Sequence, residues 1–247
     1  MTTRWKLTIE YDGSGFCGWQ RQKSDVTVQQ VIENAIHAFS GENPTLHVAG
    51  RTDAGVHALA QIAHFDLEKE FEACAVKGAI NYHVKPHRVV VLKAEVAPPD
   101  FHARFQAKAR RYRFIVCNRP APLALMAGRA WHVVRPLSLA PMQKAAALLI
   151  GHHDFTTFRA KFCQAKSPLR TLDVLDITQD GDMFTFDVKS RSFLYHQVRN
   201  MVGTLVMVGT GQMSFDEFVA AFASCERANG GVTAPPEGLY FVSVDYD

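Results

Sequence analysis

"FHARFQAKARRYRFIVCNR", Phe101 to Arg119, decides how the chain divides. It follows Pro98-Pro99, which close the β-branched run "RVVVLKAEVA" (Arg88–Ala97), and it contains a fresh strand, "RRYRFIVC" (Arg110–Cys117). Upstream lies a complete series of elements. In "RWKLTIEY" Trp5, Leu7, Ile9 and Tyr11 point one way while Lys6, Thr8 and Glu10 point the other, the pattern of a half-buried strand. In "TVQQVIENAIHAFSG" Val28, Val31, Ile32, Ala35, Ile36 and Phe39 form one helical stripe, opened by a Thr27–Gln30 capping box and closed near Gly41. A short strand near Leu46–Ala49, a strand "AQIAHFDL" (Ala60–Leu67) and a helix over about Phe71–Asn81 precede the Arg88–Ala97 strand.

Downstream the order repeats. Leu139–Ile150 reads as a helix behind Ser138, and Leu172–Thr178 pairs with Phe184–Lys189 across the hairpin signal Asp180-Gly181. A long helix follows over Leu194–Met207, with Val198, Met201, Val202 and Leu205 inward. A capping box at Ser214–Glu217 opens another, and "GLYFVSVDY" ends the series as a strand. Each half therefore reads β-α-β-β-α-β. The expected fold is α+β, two ferredoxin-like halves at 1–105 and 106–247, whose packed antiparallel sheets form a central RNA-binding cleft. The residues themselves do not repeat, so the duplication rests on element order alone.

The bulk properties set the class. With 247 residues, 47% of them hydrophobic, the chain can bury full cores and is not disordered. The N-terminal residues hold no apolar signal segment and no run reaches the roughly 18 residues of a membrane span, so a cytosolic protein is expected. Five scattered cysteines, Cys17, Cys74, Cys117, Cys163 and Cys225, have no C-x-x-C spacing and read as reduced thiols rather than a disulfide framework or zinc site.

A net charge of +3 says little about partners, but its distribution says more. Arg104, Lys108, Arg110, Arg111, Arg113 and Arg119 lie in the opening stretch without an acid among them, and a second acid-free basic stretch runs from Phe155 to Thr171. Such runs suit a phosphate backbone; the plainer alternative is a pair of solvated faces.

Two motifs mislead. Gly13-x-Gly15-x-x-Gly18 matches the spacing of a dinucleotide fingerprint, but no helix opens at these glycines. They form either a loop offering Trp19, Gln20 and Arg21 to nucleic acid or a simple surface turn. His83 and His87 are separated by Pro86, which breaks a helix that would align them on a metal, and His152-His153-Asp154 has no partner motif. The chain also lacks G-x-S-x-G, Walker and H-E-x-x-H motifs, so no metal site and no common hydrolase chemistry is expected.

"GRTDAGVHA" (Gly50–Ala58) sets Arg51 two residues from Asp53, between two glycines. Taken alone, Asp53 is either the cap of a turn or a nucleophilic carboxylate kept ionised by a nearby arginine. The segment, together with "YDGSGFCGWQRQ" (Tyr11–Gln22), "FHARFQAKARRYRF" (Phe101–Phe114), "HDFTTFR" (His153–Arg159), "SFLYHQVRNMVG" (Ser192–Gly203) and "GLYFVSVDY" (Gly238–Tyr246), resembles the bacterial tRNA pseudouridine synthase A family. These segments run in the family's order through both halves.

The resemblance implies an isomerase that consumes no cofactor and converts uridine to pseudouridine at positions 38, 39 and 40 of the tRNA anticodon stem-loop, acting as a homodimer. It implies Asp53 as nucleophile, Tyr112 stacked on the target base and placed to take its C5 proton, Arg199 paired with Asp53, Leu239 packed against the base and Arg51 filling the space that the flipped uridine leaves. Arg104, Lys108, Arg110 and Arg111 would hold the phosphates. Two competing readings are a silent RNA-binding protein or tRNA chaperone on the same scaffold, and a metal-dependent nucleic-acid hydrolase.

Overall fold

A computed structural model describes residues 2–246. The fold is mixed α+β, mostly antiparallel in its strand pairing, and divides into two compact units, Met1–Arg110 with Tyr240–Asp247, and Arg111–Leu239.

In the first unit β1 (Thr3–Tyr11) is central, paired antiparallel with β3 (His57–Leu67) on one side and β4 (Val89–Val96) on the other. The short β2 (His47–Val48) pairs antiparallel with the far part of β3. Trp5, Leu7, Ile9 and Tyr11 are all buried, as their alternation requires. Helix α1 (Val28–Ser40) starts where the Thr27 hydroxyl accepts the Gln30 N–H and ends at a left-handed Gly41. It buries the stripe from Val28 to Ile36 and packs beside α2 (Ala73–His83), while Phe39 is half-buried, edge-on to Phe71.

In the second unit the strand order is β5-β9-β8-β7, formed by β5 (Ala109–Asn118, from Arg111 onward), β9 (Met183–Ser190), β8 (Leu169–Asp180) and β7 (Gly151–Asp154). The β8–β9 hairpin turns at Gly181, and β6 (Trp131–Val133) runs parallel to β5. Helix α3 (Leu139–Ala147) packs on α4 (Gln197–Gly209) and β8, and α5 (Phe215–Ala223) opens with the Ser214–Glu217 capping box.

The differences from expectation are local. Strands β6 and β7, three and four residues long, are too short to show a period of two. Helix α4 begins at Gln197 rather than Leu194, because His196 takes a left-handed φ of 59° and the Leu194 N–H is satisfied by the Gln197 side chain. The last strand, β10 (Leu239–Asp245), was expected to complete the second half. From Tyr240 it belongs to the first unit, where Tyr240 and Phe241 pair in parallel with His57 and Ala58.

Candidate active site

The loop from Ala49 to His57 leaves β2, carries Arg51 and Asp53, and returns as β3. Its backbone is held from several directions. The Thr52 carbonyl accepts the Trp19 N–H at 3.0 Å, and the Gly55 N–H donates to the Phe16 carbonyl at 3.3 Å. The Val56 N–H closes a turn on the Asp53 carbonyl at 3.2 Å. Before Arg51, the Gln61 amide donates to the Gly50 carbonyl at 2.8 Å, and Nε and Nη2 of Arg110 both donate to the Ala49 carbonyl, at 3.0 and 2.8 Å.

The glycines of "DGSGFCG" explain this grip. A Cβ on Gly13 would lie 2.1 Å from the Val56 carbonyl oxygen. Gly18 has φ of 84°, and a Cβ there would lie 2.8 Å from the Thr52 oxygen. The segment thus presses backbone to backbone on the Asp53 loop, which only residues without a side chain permit. Trp19 is accordingly buried and does not face solvent as one reading of the sequence had it, while Gln20 and Arg21 are exposed, Arg21 paired with Glu33.

Thr52 is the pivot of the motif. Its side chain is buried, with the hydroxyl 2.7 Å from that of Tyr11, while Arg51 is exposed and Asp53 half-buried on either side of it. Burial pushes the Tyr11 hydroxyl pKa up to about 12, against the hydrogen bonds of Thr52 and Gln61, so the pair stays neutral. Nearby, Nδ1 of His57 accepts the Gly13 N–H at 3.0 Å and its ring stacks on Tyr240 at 4.7 Å. Burial alone would raise the Asp12 carboxyl, yet hydrogen bonds from the Ser14 hydroxyl and N–H and from Arg88 bring it to about 2.

Residues 101–106 form a second loop of this unit. Nδ1 of His64 accepts the Ala103 N–H at 3.2 Å, and Nδ1 of His102 accepts the N–H groups of Arg104 and Phe105. Arg104 and Lys108 are exposed; Arg110 is half-buried and also donates to the Arg104 carbonyl at 2.9 Å, tying the two loops together.

In the second unit Tyr112 lies on β5, only 9% exposed, with its ring edge-on to Phe193 at 5.2 Å. Its basic neighbours do not keep it at the surface: Arg111 is exposed and Arg113 forks onto Asp187. Arg199, on the first turn of α4, donates through Nε to the Ala234 carbonyl at 2.8 Å, and its Nη1 lies 3.3 Å from Nε2 of His196. The Ala234 N–H returns to the Arg199 carbonyl at 3.1 Å. Leu239 is buried at the start of β10.

The candidate residues therefore fall into two groups: Arg51, Asp53, Arg104 and Arg110 in the first unit, and Arg111, Tyr112, Arg199 and Leu239 in the second. Sequence reading missed the supports of the first group, Tyr11, Thr52, His57 and Gln61. The one signal for them was the glycine spacing of residues 13–18, which marks a close backbone approach as readily as a surface turn. Among the described residues no three or more His, Cys, Asp or Glu side chains converge as metal ligands, and no helix is long and apolar enough to cross a membrane.

Within the first unit, a carboxylate on a braced turn beside an exposed arginine suits covalent chemistry, and the exposed cations Arg104 and Lys108 suit a polyanion. The sequence model of the tRNA pseudouridine synthase family matches residues 7–106 and 145–247, leaving out residues 107–144, which hold β5, β6 and most of α3. Proteins named tRNA pseudouridine synthase A are similar throughout. That of Rhodospirillum centenum is 51% identical over 98% of this chain and 99% of its own length. That of Wolbachia pipientis is 51% identical over 98% and 100%, and that of Rhodopseudomonas palustris 52% over 98% and 99%. The chain belongs to the tRNA pseudouridine synthase family, and it is an isomerase.

Proposed function

We propose that this protein converts uridine to pseudouridine at positions 38, 39 and 40 of the tRNA anticodon stem-loop, with Asp53 as nucleophile. The observation that carries the reading is the braced loop of Asp53 in a chain similar from end to end to tRNA pseudouridine synthases A. A turn cap alone does not require backbone clamps on both sides of an exposed Arg51 and a half-buried Asp53.

The reaction breaks the bond between N1 of uracil and C1′ of the ribose, turns the base and joins C5 to C1′. The C5 proton is released and N1 gains one, so the product is an isomer and no co-reactant is needed. In this reading Asp53 forms and releases the covalent intermediate. Tyr112 stacks on the base, Leu239 packs against it, and Arg199 is the cation assigned to the carboxylate. Arg51 occupies the place of the flipped uridine, and Arg104, Lys108 and Arg111 hold phosphates. Arg110 contributes mainly by fixing the Ala49 carbonyl.

A ferredoxin-like first half is supported by that unit's order β4-β1-β3-β2 and its β-α-β-β-α-β sequence, and the same reading extends this form to the second half. The same reading makes the protein a cytoplasmic homodimer. Its test is to treat an unmodified tRNA transcript with the protein and map pseudouridine by carbodiimide adducts that stop primer extension. Stops at 38 to 40 are expected; stops elsewhere, or none, would overturn the assignment of substrate.

A further inference from the structure

The second acid-free basic stretch, Phe155 to Thr171, has no part in the site described above, and the structure gives it a definite shape. After a single 3₁₀ turn (Thr156–Phe158) the chain loops out and re-enters at β8. The loop is built with its own arginines. Nη2 of Arg159 donates to the carbonyls of Cys163 and Ala165, and Nη1 of Arg170 donates to those of Ser167 and Leu169. Tyr195, just before α4, pins it from outside: its carbonyl accepts the Ala160 N–H at 3.1 Å, and its N–H donates to the Cys163 sulfur at 3.4 Å.

The result is a fixed loop that displays rather than hides its aromatic residue. Phe162 is 80% exposed, flanked by exposed Lys161, whose ammonium is 6.0 Å from the ring, and exposed Lys166. Burying a phenylalanine stabilises a fold by about 1.5–3 kcal/mol, and this one forgoes most of that gain. The division of labour among the cations is equally specific: both arginines serve loop carbonyls, while both lysines face water. An exposed π-face beside an ammonium group, on a loop with a second exposed lysine, suits an unpaired nucleobase and its phosphates.

We propose that the loop from Ala160 to Pro168 is an RNA-contact element in which Phe162 stacks on an unpaired base of the substrate while Lys161 and Lys166 hold the adjoining phosphates. The inference rests on the tRNA reading and adds to it a second contact surface, on the second unit, outside the residues assigned to chemistry.

The test measures binding of an unmodified tRNA transcript by the full-length protein, by fluorescence anisotropy over a series of salt concentrations, with turnover assayed beside it. Phe162→Ala is expected to weaken binding by about tenfold, the usual range for loss of one stacked base. Phe162→Trp restores binding to within about twofold, and Phe162→Leu, which keeps the apolar bulk but not the ring, stays weak. Lys161→Ala with Lys166→Ala lowers the salt slope by about two. Wild-type affinity for Phe162→Ala, with normal turnover, would overturn the inference alone. So would a Phe162→Ala protein whose tRNA affinity is intact but whose sedimentation mass changes, which makes the loop a protein-docking surface. If Phe162 governs tRNA affinity yet the wild type makes no pseudouridine, the catalytic reading falls and the contact stands.

Discussion

Thr52 separates the exposed Arg51 from the half-buried Asp53, and its hydroxyl is the buried anchor between them. A side chain of the same shape without the hydroxyl tests this. Thr52→Val leaves the Tyr11 hydroxyl short of one partner in a buried site and is expected to cost about 1–3 kcal/mol, read as a lower urea midpoint with unchanged m-value. Equal midpoints would show that the pair contributes nothing. Asp53 itself was legible as a candidate from its setting between glycines. Its support was not, because Tyr11 is distant in sequence and both it and Gln61 look like ordinary strand residues.

At the scale of elements, Arg110 links two loops. Its guanidinium donates to the Ala49 carbonyl through two nitrogens, one of which also reaches the Arg104 carbonyl, a fork that an ammonium group cannot reproduce. Arg110→Lys keeps the charge but loses the fork, and kcat should fall about 10- to 100-fold while the tRNA dissociation constant changes little, since misplacing a catalytic group by about an ångström has that cost. A rise in the dissociation constant with unchanged kcat would make Arg110 a phosphate contact instead.

The loop of residues 101–106 offers a pH test. Burial, aided by the charges of His102, His47 and Arg4, holds the His64 pKa down to about 4. Below the ordinary histidine value of about 6.5 the unfolded chain takes up a proton that the folded one refuses. Stability is therefore fully present above that value and is lost as the pH falls toward about 4. His64→Gln, which can still accept the Ala103 N–H, should flatten the fall in urea midpoint between neutral pH and pH 5; an unchanged slope would contradict the assignment. The longer elements were legible because their periods repeat several times, as in β1 and α1. The late start of α4 was not, because the left-handed turn at His196 replaces one helical turn without disturbing the apolar spacing.

For the whole molecule, charge distribution matters more than the net charge of +3. Arg104, Lys108 and Arg111 are exposed, whereas Arg113 is committed to Asp187. Replacing any of the first three with alanine should lower the slope of log affinity against log salt by about one, and Arg113→Ala should leave it unchanged. A uniform effect of all four would mean that local pairing does not govern RNA contact. The sequence places a boundary between residues 105 and 106 from the restart of the element order; the return of the last strand was not legible, since pairing of Tyr240 with His57 depends on contacts remote in sequence.

The central claim is that the carboxylate of Asp53 performs the isomerisation. It is tested most directly by tritium release from tRNA carrying 5-tritiated uridine, comparing the wild type with Asp53→Asn and measuring tRNA binding by gel shift in the same samples. The account predicts release by the wild type, loss of at least about a thousandfold in the variant, and similar binding by both. Comparable release from the two proteins would contradict it and return Asp53 to the role of a turn residue.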